Sequence, residues 1–150
     1  MYLQKESYDC GVAALRTLLS LHGIRASEAR IWRWAGTTKA DGTKVTGLMK
    51  AIEKAGLTPA RIIVSDTKPD EALKHVSRIV IRANGDFAHI PAIIPVDNDQ
   101  HWIVVVGFSG RRYLVWDPEG SIKTYTKKQL LTRWKSPAGH YFILMGWRVV

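Results

Sequence analysis

The chain has 150 residues and a mass of 16.9 kDa, the size of one domain. Its composition, 46% hydrophobic and 23% charged, excludes a disordered chain, and no apolar run approaches the ~18 residues a membrane span needs. The polar start, Met1 to Ser7, is not a secretory signal peptide, and the net charge of +9 is spread without a basic tract or a basic-aromatic groove, so nucleic acid is not the expected partner.

The first half of the chain has helical periodicity. Asp9 is placed to cap a first helix with its carboxylate. Val12, Leu15, Leu18, Leu19 and His22 then recur on one face, and Gly23 stops the helix. A second helix is predicted from Ser27 to about Trp34. Lys39 to Lys44 forms a loop around Asp41-Gly42, and a third helix covers Thr46 to Ala55 and stops at Gly56.

The period then changes. Arg61 to Val64 is a short strand, and Pro69 opens a short helix to about Val76. Arg78 to Arg82, Ala92 to Val96, Trp102 to Phe108, Tyr113 to Trp116 and Tyr141 to Met145 are rich in branched and aromatic residues and are predicted strands. A helix, Lys127 to Trp134, precedes the last of them. Helices first and a mostly antiparallel sheet second is an α+β plan.

Cys10 is the single cysteine, so no internal disulfide and no cysteine-based zinc cage can form. At the first turn of a helix, backbone N–H groups and the helix dipole favour its thiolate. Gly11 follows it with no side chain to block a substrate. Gln4, six residues upstream, is a candidate oxyanion donor beside the N–H of Cys10 itself.

Among five histidines, His101 is the candidate base: it stands where the polar loop Asp97 to Gln100 enters a strand, rigid on one side and accessible on the other. His22 falls at a helix end, His75 on a solvated helix, and His89 and His140 in loop-like stretches. Asp117 ends the next strand and is the candidate third group, able to orient the imidazole. A hairpin places His101 and Asp117 on one face only if its loop has an odd number of residues. A three-residue loop, Ser109 to Arg111, would pair Phe108 with Arg112 and Ile103 with Asp117; a two-residue turn would put the two groups on opposite faces. Trp102 and Trp116 are expected to point away from the His101 and Asp117 face, and a helix exposes part of Trp32 or Trp34.

The order Gln4, Cys10, His101, Asp117 resembles the double-glycine, or bacteriocin-processing, peptidases, family thirty-nine of the cysteine peptidases. The segments that carry the resemblance are Gln4-Lys-Glu-Ser-Tyr-Asp-Cys-Gly11, Asp41-Gly-Thr43, Ile90-Pro-Ala-Ile-Ile94, His101-Trp-Ile-Val-Val105 and Val115-Trp-Asp-Pro-Glu-Gly120. Arg16-Thr-Leu-Leu19 and Arg133-Trp-Lys135 depart from the pattern of relatives. The resemblance implies a papain-like fold with the nucleophile at a helix start, as a single domain over residues 1–150. It assigns Cys10 as nucleophile, His101 as base and acid, Asp117 as orienting carboxylate and Gln4 as oxyanion donor, with no cofactor or metal.

The implied reaction is hydrolysis after a Gly-Gly pair in a leader peptide or protein, through an acyl-thioester. Without a transmembrane region or a phosphate loop, the chain is expected to be a free-standing cytoplasmic peptidase. Its partners would be a peptide or protein substrate and a separate ABC exporter, or virion proteins if it is phage-borne. Two alternatives share the fold: a deamidase or acyl transferase, which differs only in the acceptor, and a catalytically silent binding or virion-structural module.

Overall fold

The computed structural model describes residues 2, 9–78, 80–83, 86–109 and 111–147. Three helices open the chain: α1 (Cys10–Leu21), α2 (Glu28–Ala35) and α3 (Val45–Lys54). Strand β1 (Thr58–Ser65), helix α4 (Pro69–Arg78) and the strands β2 (Val80–Ala83), β3 (Asp86–His89), β4 (Ala92–Val96), β5 (His101–Ser109), β6 (Arg112–Asp117) and β7 (Ser121–Thr126) follow. Helix α5 (Lys127–Trp134) and strand β8 (His140–Trp147) close it. Six strands form one antiparallel sheet in the order β1-β8-β4-β5-β6-β7, and β2 and β3 pair apart from it. The architecture is the expected α+β plan.

Strand alternation splits the core in two. Trp102, Val104, Trp116 and Leu144 face the N-terminal helices, packing with Leu15, Leu18, Ile31, Leu48 and Ile52. Ile103, Val105, Val115 and Ile143 face the other way, onto Ala72 and Leu73 of α4 and Leu130 and Trp134 of α5. The sheet is therefore covered on both faces, and α4 and α5 supply a layer beyond the three N-terminal helices. Helix α1 is buried nearly all round, with Leu15, Leu18 and Leu19 fully inaccessible. Each such leucine contributes roughly 1.5–3 kcal/mol on burial, so α1 is a rigid mount for its first residue, Cys10.

Local signals explain most helix ends. Ser27 caps α2 by accepting from the Arg30 N–H at 3.2 Å, and Gly36 ends that helix in the left-handed region at φ 64°. Gly23 plays the same part after α1 at φ 77°. Thr126 and Gln129 form a reciprocal capping box on α5. The predicted strands from Ala92 onward appear within a residue or two of their expected bounds.

Two strands escape the sequence reading. Ser121–Thr126 carries lysine and threonine, and its exposure shows why: it is an outer strand in which Ile122 is exposed and Tyr125 alone packs against the core. Asp86–His89 forms β3, so His89 lies in a strand, and His140 opens β8; neither is in a loop.

Gly47 gives a stability test. A Cβ there would sit 2.0 Å from the Ala35 carbonyl oxygen, where α3 crosses α2. Backbone cannot yield as a side-chain end can, so Gly47→Ala should cost roughly 1–3 kcal/mol or more. A lower urea midpoint with unchanged slope checks it.

Candidate active site

Cys10 is the first residue of α1 and is 6% exposed. Asp9 does not cap the helix as expected: its backbone is helical (φ −92°, ψ −1°) and its side chain makes no capping bond. A capping side chain needs the extended backbone that Ser27 and Thr126 have. The carboxylate therefore does not take up the first-turn amides beside Cys10. Gly11 has a packing role. A Cβ there would lie 2.8 Å from Thr43 Cβ and 3.2 Å from Trp102 Cδ1, so glycine lets the Asp41–Thr43 loop and the indole close onto the first turn. Trp102 fixes the same loop by donating its Nε1–H to the Thr43 carbonyl at 3.2 Å.

The β5–β6 hairpin reaches the expected pairing by an unexpected route. Ser109 pairs with Arg112, so the connection is the two-residue Gly110-Arg111, not the three-residue loop of the sequence reading. Left alone, that turn would set His101 and Asp117 on opposite faces. Val105 pairs with Val115 and Gly107 with Leu114, which makes Val106 the extra residue of a β-bulge. One inserted residue reverses the parity of the strand beyond it. Val104 then pairs with Trp116, and continuing that register sets Ile103 opposite Asp117. His101 and Asp117 end on one face, while Trp102 and Trp116 point to the α1 side.

There His101 Nε2 and Asp117 Oδ1 lie 2.7 Å apart. Asp117 is 1% exposed and also accepts from the Glu119 N–H at 3.0 Å and from Arg133 Nη1 at 3.3 Å. Burial pushes its pKa up, but the His101 bond, the Glu119 amide, the charge of His101 and the Arg133 hydrogen bond outweigh it and hold the carboxylate well below the usual range. An anionic Asp117 makes Nε2 the protonated ring nitrogen, which leaves Nδ1 as the basic one. For His101, burial disfavours the cation, yet hydrogen bonding to Asp117 and to Cys10, with their negative charges, raises the pKa from 6.5 to about 9. The structure thus brings Cys10, His101 and Asp117 together.

Arg133 escaped the sequence reading as a site residue. It stands in the last turn of α5 and reaches three groups at once. Nε donates to Asp97 Oδ1 at 3.0 Å, Nη2 donates to Asp97 Oδ2, and Nη1 donates to Tyr125 Oη at 2.8 Å as well as to Asp117. The Asp97 N–H in turn donates to the Arg133 carbonyl at 3.0 Å.

This staple holds an unusual turn. Asp97, Asn98 and Asp99 all have positive φ (54°, 58° and 63°), with Gln100 between them and His101. A left-handed residue costs roughly 1–2 kcal/mol when it carries a Cβ, so three in series need outside support. Arg133 holds the first, and Ser136 holds the third by donating to Asp99 Oδ2 at 2.7 Å.

Gln4 lies outside the described residues. Of the other histidines, His22 is the C-cap of α1 and His75 is solvated beside Glu71 on α4. Trp32 and Trp34 are both half-buried. Among the described residues, His101, Asp117 and Glu119 are the one group whose ligand atoms approach within 4.8 Å. Asp117 is already engaged there by His101, the Glu119 amide and a guanidinium, and that positive charge opposes a metal ion.

A cleft of about 390 Å³ opens at Cys10, walled by Lys39–Thr43 on one side and by Asp99, Gln100 and Trp102 on the other. Among the described residues, no helix is long and apolar enough to cross a membrane.

The Lactococcus lactis (strain IL1403) lactococcin transport/processing ATP-binding protein LcnC-like is 27% identical over 133 residues, which is 87% of this chain and 17% of that protein. The chain thus spans about a sixth of the length of that transporter. An uncharacterised protein of Methanothermobacter marburgensis is 33% identical over 97 residues, 63% of each chain.

In fold, the chain matches the crystal structure of a double glycine motif protease from an AMS/PCAT transporter in complex with its leader peptide. The TM-score is 0.75 at 20% identity, covering 97% of this chain and 89% of that one. It also matches the peptidase domain of Streptococcus ComA, a bifunctional ABC transporter of a quorum-sensing pathway, with TM-score 0.70 at 21% identity and 96% coverage of both. These neighbours share the papain-like fold. The peptidase C39 family model matches residues 1–144, and with a thiol, an imidazole and a carboxylate converging at the start of α1, the chain belongs to that family of cysteine peptidases.

Proposed function

We propose that residues 1–150 act as one peptidase domain that cleaves after a Gly-Gly pair in a leader peptide or protein. The observation that carries the reading is the 2.7 Å His101–Asp117 bond with Cys10 beside the same ring. Cys10 is the nucleophile, His101 the base and acid, and Asp117 the orienting carboxylate. Gln4 and the Cys10 N–H are the oxyanion donors.

The Cys10 proton passes to His101 Nδ1, and the sulfur attacks the carbonyl carbon. The tetrahedral oxyanion collapses as the amine leaves with that proton, giving a thioester. Water attacks next, His101 takes its proton, and collapse returns the thiol and releases the acid. A substrate without side chains at two positions suits a cleft that Gly42 and Trp102 help to wall. The reading places this domain in the cytoplasm, serving an ABC exporter.

The test is the mass gained at Cys10 from a Gly-Gly chloromethyl ketone between pH 5 and 10. Labelling near neutral pH that is lost in His101→Ala supports the reading. Equal labelling of both chains, or none in a protein whose Cys10 reacts with a small neutral thiol reagent, overturns it.

Arg133 acts through Asp117 and the Asp97 turn, so it is a positioning residue. Arg133→Met should lower kcat about 10²-fold, the usual cost of a misplaced reacting group, with KM nearly unchanged. Arg133→Lys should recover little, because an ammonium cannot span the two Asp97 oxygens and Asp117 together. Steady-state cleavage of a Gly-Gly peptide reads both, and a change confined to KM would contradict the role.

A further inference from the structure

The chain enters β5 through a strained turn. Asp97, Asn98 and Asp99 stand in the left-handed region, and Arg133 and Ser136 pin that turn from outside. Backbone strain that the surrounding structure holds in place collects at functional sites. The residue that leaves the turn is Gln100. Its N–H closes the turn on the Asp97 carbonyl at 3.2 Å, and its neighbour His101 is paired in the sheet with Val96. The main chain of Gln100 is thus fixed from both sides.

Its side chain is exposed and lines the cleft at Cys10. Among the described residues, that amide has one contact, a long donation of 3.5 Å to the Asn98 carbonyl, so its oxygen and one N–H are free. The other polar groups of the cleft are largely committed. The Asp41 N–H donates to Thr38 Oγ1 at 3.0 Å, and Gly42 exchanges both of its main-chain bonds with Thr38 at 2.8 and 3.1 Å. The Thr43 carbonyl accepts from Trp102 Nε1, and Thr43 Oγ1 is buried against Thr37 Oγ1 at 2.7 Å. Asp99 is held by Ser136. Lys39 and Asp41 keep their charges, but an ammonium only donates and a carboxylate only accepts. Gln100 offers both from one planar, exposed group.

We infer that Gln100 is a substrate-binding residue whose Oε1 and Nε2–H engage the main-chain N–H and C=O of one extended residue within two positions of the bond presented to Cys10. The inference rests on the peptidase reading above and adds a substrate contact to it. In an extended chain the N–H and C=O of a single residue point to the same side, as in the bonded pairs of an antiparallel ladder, and a primary amide matches both. A substrate recognised at glycine offers no side chain to grip there, so its main chain is what the cleft can hold.

Binding to the inactive Cys10→Ala protein tests this separately from catalysis. The parent probe is a fluorescent alanine-rich peptide with one central Gly-Gly pair. Its analogues each have a single amide within two bonds of the Gly-Gly–Ala bond replaced by an ester, which removes the N–H without adding bulk. One analogue should bind about 3- to 10-fold more weakly than the parent, the value of one neutral hydrogen bond. In Cys10→Ala/Gln100→Ala the parent and that analogue should bind alike. Gln100→Glu in the same background keeps an oxygen that accepts the N–H and should keep the penalty. The penalty should also persist at about 0.5 M salt, because neither partner is charged.

A loss from Gln100→Ala that is equal for the parent and every analogue marks a structural role and overturns the inference. So does a penalty that disappears in Gln100→Glu, a penalty that fades with salt and so belongs to Lys39 or Asp41, or no measurable binding of the parent. If the wild type cleaves nothing while the Gln100-dependent penalty holds, the peptidase reading fails and the contact stands. If the wild type cleaves the parent and no penalty depends on Gln100, the contact fails alone.

Discussion

Cys10→Ala should fold as the wild type does and lose turnover of a Gly-Gly peptide by roughly 10⁵–10⁶-fold, the scale seen when a covalent nucleophile is removed and only binding and oxyanion donors remain. The site argues for both halves of this result. Cys10 is small, sits in the first turn of α1 and makes no disulfide. Replacing its sulfur by hydrogen leaves Leu15, Leu18 and Leu19 to hold the helix. Chemically, this is the one thiol in the chain, so no neighbour can substitute for it. Urea unfolding and a progress curve on the same preparation check the two halves. Turnover within about 100-fold of wild type would mean that some other group attacks the peptide, and the covalent mechanism would fall.

His101→Ala should lose nearly as much, and what distinguishes it is pH. The His101 pKa is raised to about 9, so the imidazolium that protonates the leaving amine persists through neutral pH. In the wild type kcat/KM should fall above about pH 9, and that limb should vanish from any residual activity of the variant. Asp117→Asn should move the limb to lower pH, because burial of the cation then acts with less opposition. Its loss of turnover should be smaller than that of Cys10→Ala, since the nucleophile survives. Stability follows the same sign. A folded pKa above the ordinary 6.5 means that the stabilisation from His101 is complete below about pH 6.5 and declines as pH rises through about 9. A pH–rate profile with its alkaline limb near 7 in the wild type would contradict the Asp117–His101 coupling.

The local chemistry of the chain was legible in its sequence. Cys10 at a helix start, the apolar face from Val12 to Leu19, the glycine stop at Gly23 and the strands around His101 and Asp117 all follow from short-range rules. Helix caps and strand alternation involve residues within a few positions of one another. The α+β class followed from the order of those elements. The order of Gln4, Cys10, His101 and Asp117 identified the family, and the structure then gathered the last three at one place.

Tertiary structure decided what depends on partners distant in the chain. The bulge at Val106 is one case. The two-residue turn alone would set His101 and Asp117 on opposite faces, and the extra residue that restores the pairing is marked in the sequence only by Gly107 beside it. The Asp9 backbone is another: an aspartate before a helix carries a capping side chain, and whether that side chain caps is set by φ and ψ. Gly11 has its reason in Thr43 and Trp102, which come from a loop and a strand far along the chain.

Arg133 is the clearest example. It is 36 residues from Asp97 and 16 from Asp117, and no spacing rule connects a cation in one helix to a left-handed turn and a carboxylate in two different segments. The sequence by itself determined which groups are available for chemistry and which elements carry them. Packing of α1 and α5 against opposite faces of the sheet decided which groups meet, because convergence is a property of long-range contacts and their register.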